Sequence, residues 1–312
     1  MEQELTIFSS EDFVNLAPEN ITAEDHTIVN RWLRSKRSKH TQKAYTRDIA
    51  AFYDFLGLYG RSLTIKGVSL GDVQDYAEYL KAACKEVSTQ ARKIAVVKSL
   101  LTFAHKTGYI GFNVGAAQLL PEGKDKLAQR ILSTSQVQHI LYEARDNKRN
   151  HAMLLLLYGS GIRCAELCGL QWEDVQETSA GGQITVLGKG SKTRSIPLHK
   201  TVWDELLSIR PPDAEPTDYV FQSRKLTSRE DQTPTRKLAE TQVWRIVKAY
   251  AEKAGIKKAS THWFRHAHAT HAMEKGAPLR LIQETLGHAD LRTPSRYQHV
   301  RPDSSSSQFL DL

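Results

Sequence analysis

Six side chains have the types and the order needed to handle a charged, oxygen-rich group. They are Arg163, Lys189, His262, Arg265, His288 and Tyr297. Guanidinium groups stay charged at neutral pH and bind phosphate oxygens in pairs, and imidazoles exchange protons near neutrality. A phenol, whose ordinary pKa is about 10, becomes a nucleophile when neighbouring cations favour its phenolate. Fixed cations of this kind can stabilise, without a metal, the negative charge that develops when an oxygen attacks a phosphate ester.

Each residue taken alone has a plainer interpretation. Arg163 after a buried helix would complement the helix dipole, Tyr297 would be a half-buried aromatic side chain, and Lys189 would be a solvated turn residue. Their joint order, with Tyr297 nine residues after His288, favours the chemical interpretation.

The six residues lie in five ordered segments, at 161–167, 188–190, 262–266, 286–288 and 296–299. Together these segments resemble the tyrosine recombinase family, also called phage integrases, and in particular its Xer-like members. The match runs from about residue 134 to 300 and less specifically into the N-terminal helices. The resemblance implies a site-specific DNA recombinase that cuts and rejoins duplex DNA through a 3′-phosphotyrosyl intermediate, without metal, ATP or another cofactor.

The resemblance also implies a role for each residue. The two arginines clamp the phosphate, His288 adds a hydrogen bond to the same oxygens, and Tyr297 is the nucleophile. His262 exchanges a proton with the tyrosine hydroxyl, directly or through water, and Lys189 protonates the leaving 5′ oxygen. Glu166 either orients one of the arginines or forms only a salt bridge on a helix face.

Three positions depart from the family pattern. Phe264 stands where Leu is commoner, and His268 occupies a position that is often aromatic. Pro294 stands where many relatives carry Thr or another polar residue, so it bears on the placement of Tyr297 rather than on its identity.

Four histidines in and just before a predicted helix raise the alternative of a metal site. They are His262, His266, His268 and His271. The HExxH pattern is absent and no cysteine or carboxylate cluster completes a zinc set, so no metal or other cofactor is expected. A hydrogen-bonded structural role is the better prediction for His266 and His271.

The composition agrees with a DNA-acting protein. The 312 residues are enough for two domains, and a formal charge of +8 with a pI of about 9.3 favours a polyanionic partner. No apolar run approaches the length of a membrane span, and the N-terminus does not resemble a secretory signal. Three cysteines without a CxxC pair make a disulfide framework improbable. We expect a cytoplasmic, nucleoid-associated protein.

The chain is predicted to be α-rich with two domains. The ranges are an acidic N-terminal tail at 1–22, a helical core-binding domain of the SAM-like type at 23–110, a linker at 111–132, a mixed α+β catalytic domain with a small antiparallel sheet at 133–302, and a C-terminal tail at 303–312. Apolar spacing predicts helices at 41–56, 73–80, 91–103, 242–254, 266–273 and 279–286. A buried helix at 153–158 should end at Gly159 and Gly161, Ser135 is the expected N-cap of the helix before it, and 183–187 with 194–198 should form a β-hairpin. Cys164 and Cys168 should lie buried on one helix face.

A block of basic residues from 31 to 47, interleaved with Trp32 and Tyr45 and free of acidic residues, is suited to lie along phosphates. The candidates for DNA contact are Arg37, Lys39 and Lys43 in this block, and Lys192 and Arg194 beside the hairpin turn.

The resemblance implies assembly on double-stranded recombination sites as a homotetramer, or as a tetramer with a related recombinase. The tail carrying Phe309, Leu310 and Leu312 either docks on a neighbouring protomer or is a frayed terminus. Three other functions compete: a type IB topoisomerase-like enzyme with the same chemistry, a DNA-binding regulator that keeps the fold without chemistry, and a basic scaffolding protein.

Overall fold

The computed structural model describes residues 16–123, 131–179, 181–188, 193–223, 237–287 and 306–311. The chain divides into two compact units whose boundary, between residues 125 and 126, falls inside the predicted linker at 111–132. Both ends of that range pack on a unit. Val114 lies against the core of the first unit, and Leu132 is buried in the core of the second. Val114 and Leu132, both within the predicted linker, thus pack on the two units, while the bounds of the linker stay a prediction.

The first unit is helical. Its elements are α1 (Ala23–Arg34), α2 (Lys39–Leu58), α3 (Leu70–Ala83) and α4 (Val87–Lys106), with 3-10 turns at Ile65–Gly67 and Val114–Ala117. The helices predicted at 41–56, 73–80 and 91–103 are confirmed as the central parts of α2, α3 and α4. Helix α1 was missed, although Ile28, Trp32 and their neighbours bury one face at helical spacing.

A buried carboxylate joins the segments of the first unit. Asp25 Oδ2 accepts hydrogen bonds from the Tyr53 hydroxyl at 2.8 Å and from the backbone N–H of Ile65 at 2.6 Å. Its Oδ1 accepts the Tyr109 hydroxyl at 2.7 Å. Because three donors compensate the desolvated charge, Asp25 connects α1 to α2, to the turn at Ile65–Gly67 and to the chain after α4.

Residues 16–22, which were predicted to belong to an acidic tail at 1–22, pack on the first unit. Ala17 and Ile21 are buried in the first core. The backbone N–H groups of Leu16 and Ala17 both donate to Asn30 Oδ1, at 2.8 and 3.0 Å. Residues 16–22 therefore belong to the first unit.

The second unit combines helices with a small sheet. Its elements are α5 (Thr134–Glu143), α6 (Lys148–Ser160), α7 (Cys164–Gly169), β1 (Val175–Thr178), β2 (Gly181–Leu187), β3 (Thr193–Pro197), α8 (Lys200–Ser208), α9 (Glu240–Lys253), α10 (Thr261–Glu274), α11 (Leu279–Leu286) and a 3-10 turn at Ser306–Phe309. The predicted fold class, α-rich with a small antiparallel sheet, is confirmed. None of the helices in the described ranges combines the length and apolarity needed to cross a membrane.

The sheet has the order β1-β2-β3 and is antiparallel throughout. Ile184 pairs with Val175 on one side and with Ile196 on the other, and all three are buried. The predicted hairpin is confirmed as β2 and β3. Strand β1 was missed because only Val175 of its four residues is buried, so it carries almost no apolar alternation.

Helix α6 is buried along most of its length from Ala152 to Ser160 and ends at Gly161, which adopts a left-handed conformation with φ of 62°. This confirms the predicted buried helix and its glycine stop. The N-cap predicted at Ser135 is wrong. Ser133 caps α5, because its hydroxyl accepts the Gln136 N–H while the Gln136 side chain accepts the Ser133 N–H. Cys168 is buried as predicted, whereas Cys164 is only partly buried and packs against the edge of the same core.

Candidate active site

Arg163 lies at the junction of α6 and α7. Its backbone N–H donates to Glu166 Oε2 at 2.8 Å, and its Nη1 donates to Glu166 Oε1 at 2.9 Å. A third bond runs from Nη2 to the backbone carbonyl of Gly287 at 3.2 Å. The side chain is one-third exposed, at 33%. The guanidinium is thus fixed by two partners while part of it stays open to solvent.

Glu166 is the carboxylate that organises this cluster. Both of its oxygens also accept hydrogen bonds from Arg194, from Nη1 and Nη2 at 2.9 Å each. Burial by itself would raise the pKa of Glu166, but the hydrogen bonds from Arg194 and Arg163 outweigh it and hold the pKa below its ordinary value. Glu166 therefore forms the predicted salt bridge with Arg163 and a second one with Arg194, while an orienting role stays a prediction.

Arg265, on α10, is buried. Its Nη1 donates to the carbonyl of Gly161 at 2.6 Å and its Nη2 to the carbonyl of Leu286 at 2.5 Å. Burial, followed by the nearby charges of Arg163 and Arg194, lowers the pKa of Arg265 to about 10. The group therefore keeps its charge at neutral pH. The structure brings Arg265 and Arg163 together at the ends of α6 and α11.

Three arginines from different elements bind three successive carbonyl groups at the end of α11. Arg194 Nε donates to Thr285 at 2.8 Å, and Arg265 and Arg163 donate to the next two carbonyls, those of Leu286 and Gly287. The last carbonyls of a helix have no intrahelical partner and carry the negative end of its dipole, so guanidinium groups are suitable partners. Gly287 leaves α11 in a left-handed conformation, with φ of 64°. The residue that follows this anchored end is His288.

Of the four other predicted catalytic residues, the structure describes only His262. His262 is exposed in the first turn of α10, three residues before Arg265 and so on a neighbouring part of the same helix face. Lys189, His288 and Tyr297, together with the DNA-contact candidate Lys192 and the departure at Pro294, lie outside the described residues.

Two histidines of α10 are structural. His271 Nδ1 bonds the Tyr158 hydroxyl at 2.9 Å, as predicted for a hydrogen-bonded structural residue. The fully buried His268 bonds the Tyr158 carbonyl through Nδ1 at 2.7 Å and the Ser306 hydroxyl through Nε2 at 2.7 Å. Because the carbonyl can only accept, Nδ1 carries the proton and Nε2 accepts from Ser306. Burial lowers the pKa of His268 to about 4, which keeps it neutral.

Arg194 was predicted to contact DNA. In the structure all three of its side-chain nitrogens bind protein, as described above, and its side chain is only 13% exposed. These contacts could not be predicted from the sequence, since nothing near Arg194 in the chain indicates Glu166 as its partner. The DNA contact stays a prediction.

The basic block of the first unit is anchored by aromatic rings. Trp32 is fully buried in the core and stacks on Tyr45, with ring centroids 5.4 Å apart. Lys36 Nζ lies over both rings, 5.1 and 5.6 Å from their centroids. Trp32 is therefore a core residue rather than part of an exposed basic and aromatic surface. The three candidates for DNA contact in this block are exposed: Arg37, Lys39 and Lys43.

The C-terminal segment 306–311 packs on its own unit. Ser306 N–H donates to Thr285 Oγ1 at 3.1 Å, and the Ser307 hydroxyl donates to the Pro197 carbonyl at 2.7 Å. Lys275 pairs with Asp311 at 2.6 Å, and Leu310 is buried. A frayed terminus is therefore wrong for these residues, whereas docking on a neighbouring protomer stays a prediction.

Comparison with known proteins points to one family. The model of the phage integrase family matches residues 130–303, and that of the N-terminal SAM-like domain of phage integrases matches residues 31–108. The chain is 34% identical to a tyrosine recombinase of Pseudothermotoga lettingae over 84% of this chain and 88% of that protein. It is 33% identical to tyrosine recombinase XerD of Oceanobacillus iheyensis over 86% of this chain and 91% of that protein.

Solved structures share the fold. A lambda integrase dimer bound to a COC′ core site matches with a TM-score of 0.66 and 16% identity, covering 88% of this chain and 99% of that one. XerH site-specific recombinase bound to its difH substrate matches with a TM-score of 0.63 and 17% identity, covering 93% of this chain and 81% of that one. The domain matches, the level of identity and the paired arginines lead to one conclusion: this chain belongs to the phage integrase family and is a tyrosine recombinase, an enzyme of site-specific DNA recombination.

Proposed function

We propose that Tyr297 cuts one strand of a duplex recombination site and that Arg163 and Arg265 hold the phosphate under attack. One observation carries this assignment. The two guanidinium groups, 102 positions apart in the chain (265 − 163), bind the adjacent carbonyls of Gly287 and Leu286. A pair of cations fixed in this way meets the requirement for preorganised charge beside a phosphodiester transition state.

The proposed reaction conserves the energy of the broken strand. The Tyr297 phenol oxygen forms a bond to phosphorus as its proton leaves, and the bond from phosphorus to the 5′ oxygen breaks. The products are a 3′-phosphotyrosyl ester and a 5′ hydroxyl. Attack by the 5′ hydroxyl of another strand on the same phosphorus reverses these steps and releases the tyrosine, so sealing needs neither ATP nor a metal.

The remaining roles are assigned by residue type and position. His262 lies one helical turn from Arg265 and is exposed, so it is available to take the phenol proton directly or through water. Lys189 supplies the proton to the leaving 5′ oxygen. His288 follows the anchored end of α11 and donates to a nonbridging oxygen.

The DNA backbone should be held by exposed cations. Arg37, Lys39 and Lys43 are exposed on the first unit. Contacts from these residues to phosphates alone would not distinguish one DNA sequence from another. Lys192 belongs to the same class. Replacing any one of these cations with a neutral residue should weaken DNA binding and reduce its salt dependence.

We further propose assembly as a homotetramer, or with a related recombinase, on two duplex sites in the nucleoid of the cytoplasm. A lambda integrase of the same fold has been crystallised as a tetramer on a Holliday junction, with a TM-score of 0.65. The C-terminal segment is a candidate contact between protomers. If removal of residues 303–312 leaves assembly on DNA unchanged, that contact is not the one that joins the protomers.

The decisive experiment traps the covalent complex. The purified chain is mixed with a pool of nicked duplexes of random sequence, in which cleavage beside the nick releases a short fragment and prevents religation. DNA that stays attached after denaturation is sequenced, which identifies the recombination site. We expect adducts with the wild-type protein in the presence of EDTA, and loss of adducts in EDTA would indicate a metal-dependent reaction.

Matched variants test the assignments on the recovered duplex. Tyr297→Phe should bind it and form no adduct, and an adduct with this variant would refute the nucleophile. Arg163→Ala should retain much of the affinity and lose cleavage by a factor on the order of 100 to 1,000. A topoisomerase-like enzyme would instead relax supercoils without a preferred site, and an accessory factor would bind without forming any adduct.

A further inference from the structure

Arg194 is the second residue of β3, and its side chain extends from the sheet to Glu166 and to the end of α11. Its side chain is 13% exposed, against 33% for Arg163. Two of its nitrogens form a bidentate pair with Glu166, and the third bonds the Thr285 carbonyl. This half-buried arginine is therefore engaged with protein through all three nitrogens of its guanidinium group.

The bidentate pair matters because Glu166 also holds Arg163. Glu166 Oε1 accepts from Arg163 Nη1 and from Arg194 Nη1, and Oε2 accepts from the Arg163 backbone N–H and from Arg194 Nη2. Arg163 gives each oxygen one hydrogen bond, and Arg194 adds a second one to each, which further restricts a last torsion that is intrinsically broad and soft. The planar fork of Arg194 fixes the plane of the carboxylate and, through it, the direction of the Arg163 guanidinium.

Arg194 also sets the end of α11. It binds the Thr285 carbonyl, and its guanidinium lies so close to Gly287 that a Cβ added there would meet Nη1 at 3.0 Å and Cζ at 3.1 Å. One side chain thus contacts the partner of Arg163 on one side and the backbone just before His288 on the other. A residue whose main task was to bind DNA phosphate would instead be expected to keep its guanidinium open to solvent.

We propose that Arg194 is a positioning residue for strand cleavage, acting through Glu166 on Arg163 and through the end of α11. It does not touch the DNA in this assignment. The inference rests on the proposed role of Arg163 as a phosphate clamp.

The test uses Arg194→Lys, which keeps the positive charge and removes the bidentate fork. Arg245→Lys, at an exposed position of α9, is the matched control. Single-turnover cleavage is measured with saturating protein on the nicked duplex recovered by covalent trapping, together with the equilibrium affinity. We expect Arg194→Lys to bind within about twofold of wild type and to cleave about 10- to 100-fold more slowly, as small displacements of catalytic groups cause. Arg245→Lys should match wild type in both.

A second substrate separates positioning from a general loss of structure. A methylphosphonate at the cleaved position replaces one charged nonbridging oxygen with a methyl group, so cleavage depends less on the arginine clamp. The deficit of Arg194→Lys should shrink to less than about threefold on this substrate, as should that of Arg163→Ala. Partial unfolding of the protein would lower the cleavage rates on both substrates by the same factor, so the ratio of the two rates would not change.

Any of the following results would overturn the proposal. An equal deficit on both substrates would make Arg194 merely structural, and a raised Kd with a reduced salt dependence would make it a DNA contact. Rescue of Arg194→Lys by a sulfur atom at the 5′ leaving position would mean that it acts through the general acid. If Arg163→Ala cleaves normally, the proposed clamp fails. If Arg163→Ala is defective and Arg194→Lys is not, only the positioning role fails.

Discussion

Replacing Glu166 with glutamine would remove the single carboxylate that Arg163 and Arg194 share. Its side chain is 4% exposed, and its two oxygens accept four hydrogen bonds from these residues. The amide has almost the same size, so the change is one of charge and of hydrogen bonding. Its nitrogen would face N–H donors and could not accept from them.

The cost follows from the burial of the cluster. With the carboxylate gone, Arg163, Arg194 and Arg265 would stand close together without a compensating charge, and burial already lowers the pKa of Arg265. Removing one partner of a buried ion pair costs about 3–5 kcal/mol, because the remaining charge stays desolvated. For a unit of this size, that loss corresponds to a fall in Tm of roughly 6–20 °C.

The measurement is calorimetric or denaturant unfolding of the full chain, with the transition of the second unit identified by hydrogen exchange. Glu173→Gln is the control, since Glu173 is exposed in the same unit and should change stability by less than about 0.5 kcal/mol. The pH dependence supplies a second check. Because the pKa of Glu166 lies below its ordinary value in the folded chain, its contribution is complete above the unfolded pKa and is lost as pH falls through the folded one. Wild type and variant should therefore converge in acid.

A change of stability no larger than that of Glu173→Gln would refute this account of the cluster. So would a difference between wild type and Glu166→Gln that stays constant down to strongly acidic pH. Either result would mean that the arginines are held mainly by the carbonyl groups at the end of α11.

Three further predictions concern single residues. Because burial lowers the pKa of His268 to about 4, wild type should lose up to ~3 kcal/mol of unfolding free energy between its unfolded pKa near 6.5 and pH 4, and His268→Phe should lose less in pH-dependent denaturation. Asp25→Ala should destabilise the first unit by ~2–4 kcal/mol, since it leaves buried donors without an acceptor, and hydrogen exchange should rise in that unit alone. Gly287→Ala should cost ~1–2 kcal/mol for its left-handed backbone and slow single-turnover cleavage without weakening DNA binding, because the new methyl group would press on the Arg194 guanidinium.

Much of the fold could be predicted from local patterns. Helices such as α6 and α9 bury a face or a whole surface, so their apolar spacing is visible in the chain, and Gly161 marks the end of α6. The hairpin of β2 and β3 was equally visible, because its buried residues alternate around a glycine-containing turn. Strand β1 carries a single buried residue and gave no such signal.

The sequence by itself determined the family and much of the order of the elements, and it predicted the six candidate catalytic residues, because all of these depend on residue types and on spacings of a few positions. Only the tertiary structure decided which groups hold the arginines. The pairing of Arg194 with Glu166 spans 28 positions, and that of Arg163 with the Gly287 carbonyl spans 124. These partners depend on how the chain packs, because a buried guanidinium binds whichever carboxylate or free helix carbonyl lies within reach in the folded protein. A local sequence pattern therefore does not predict them.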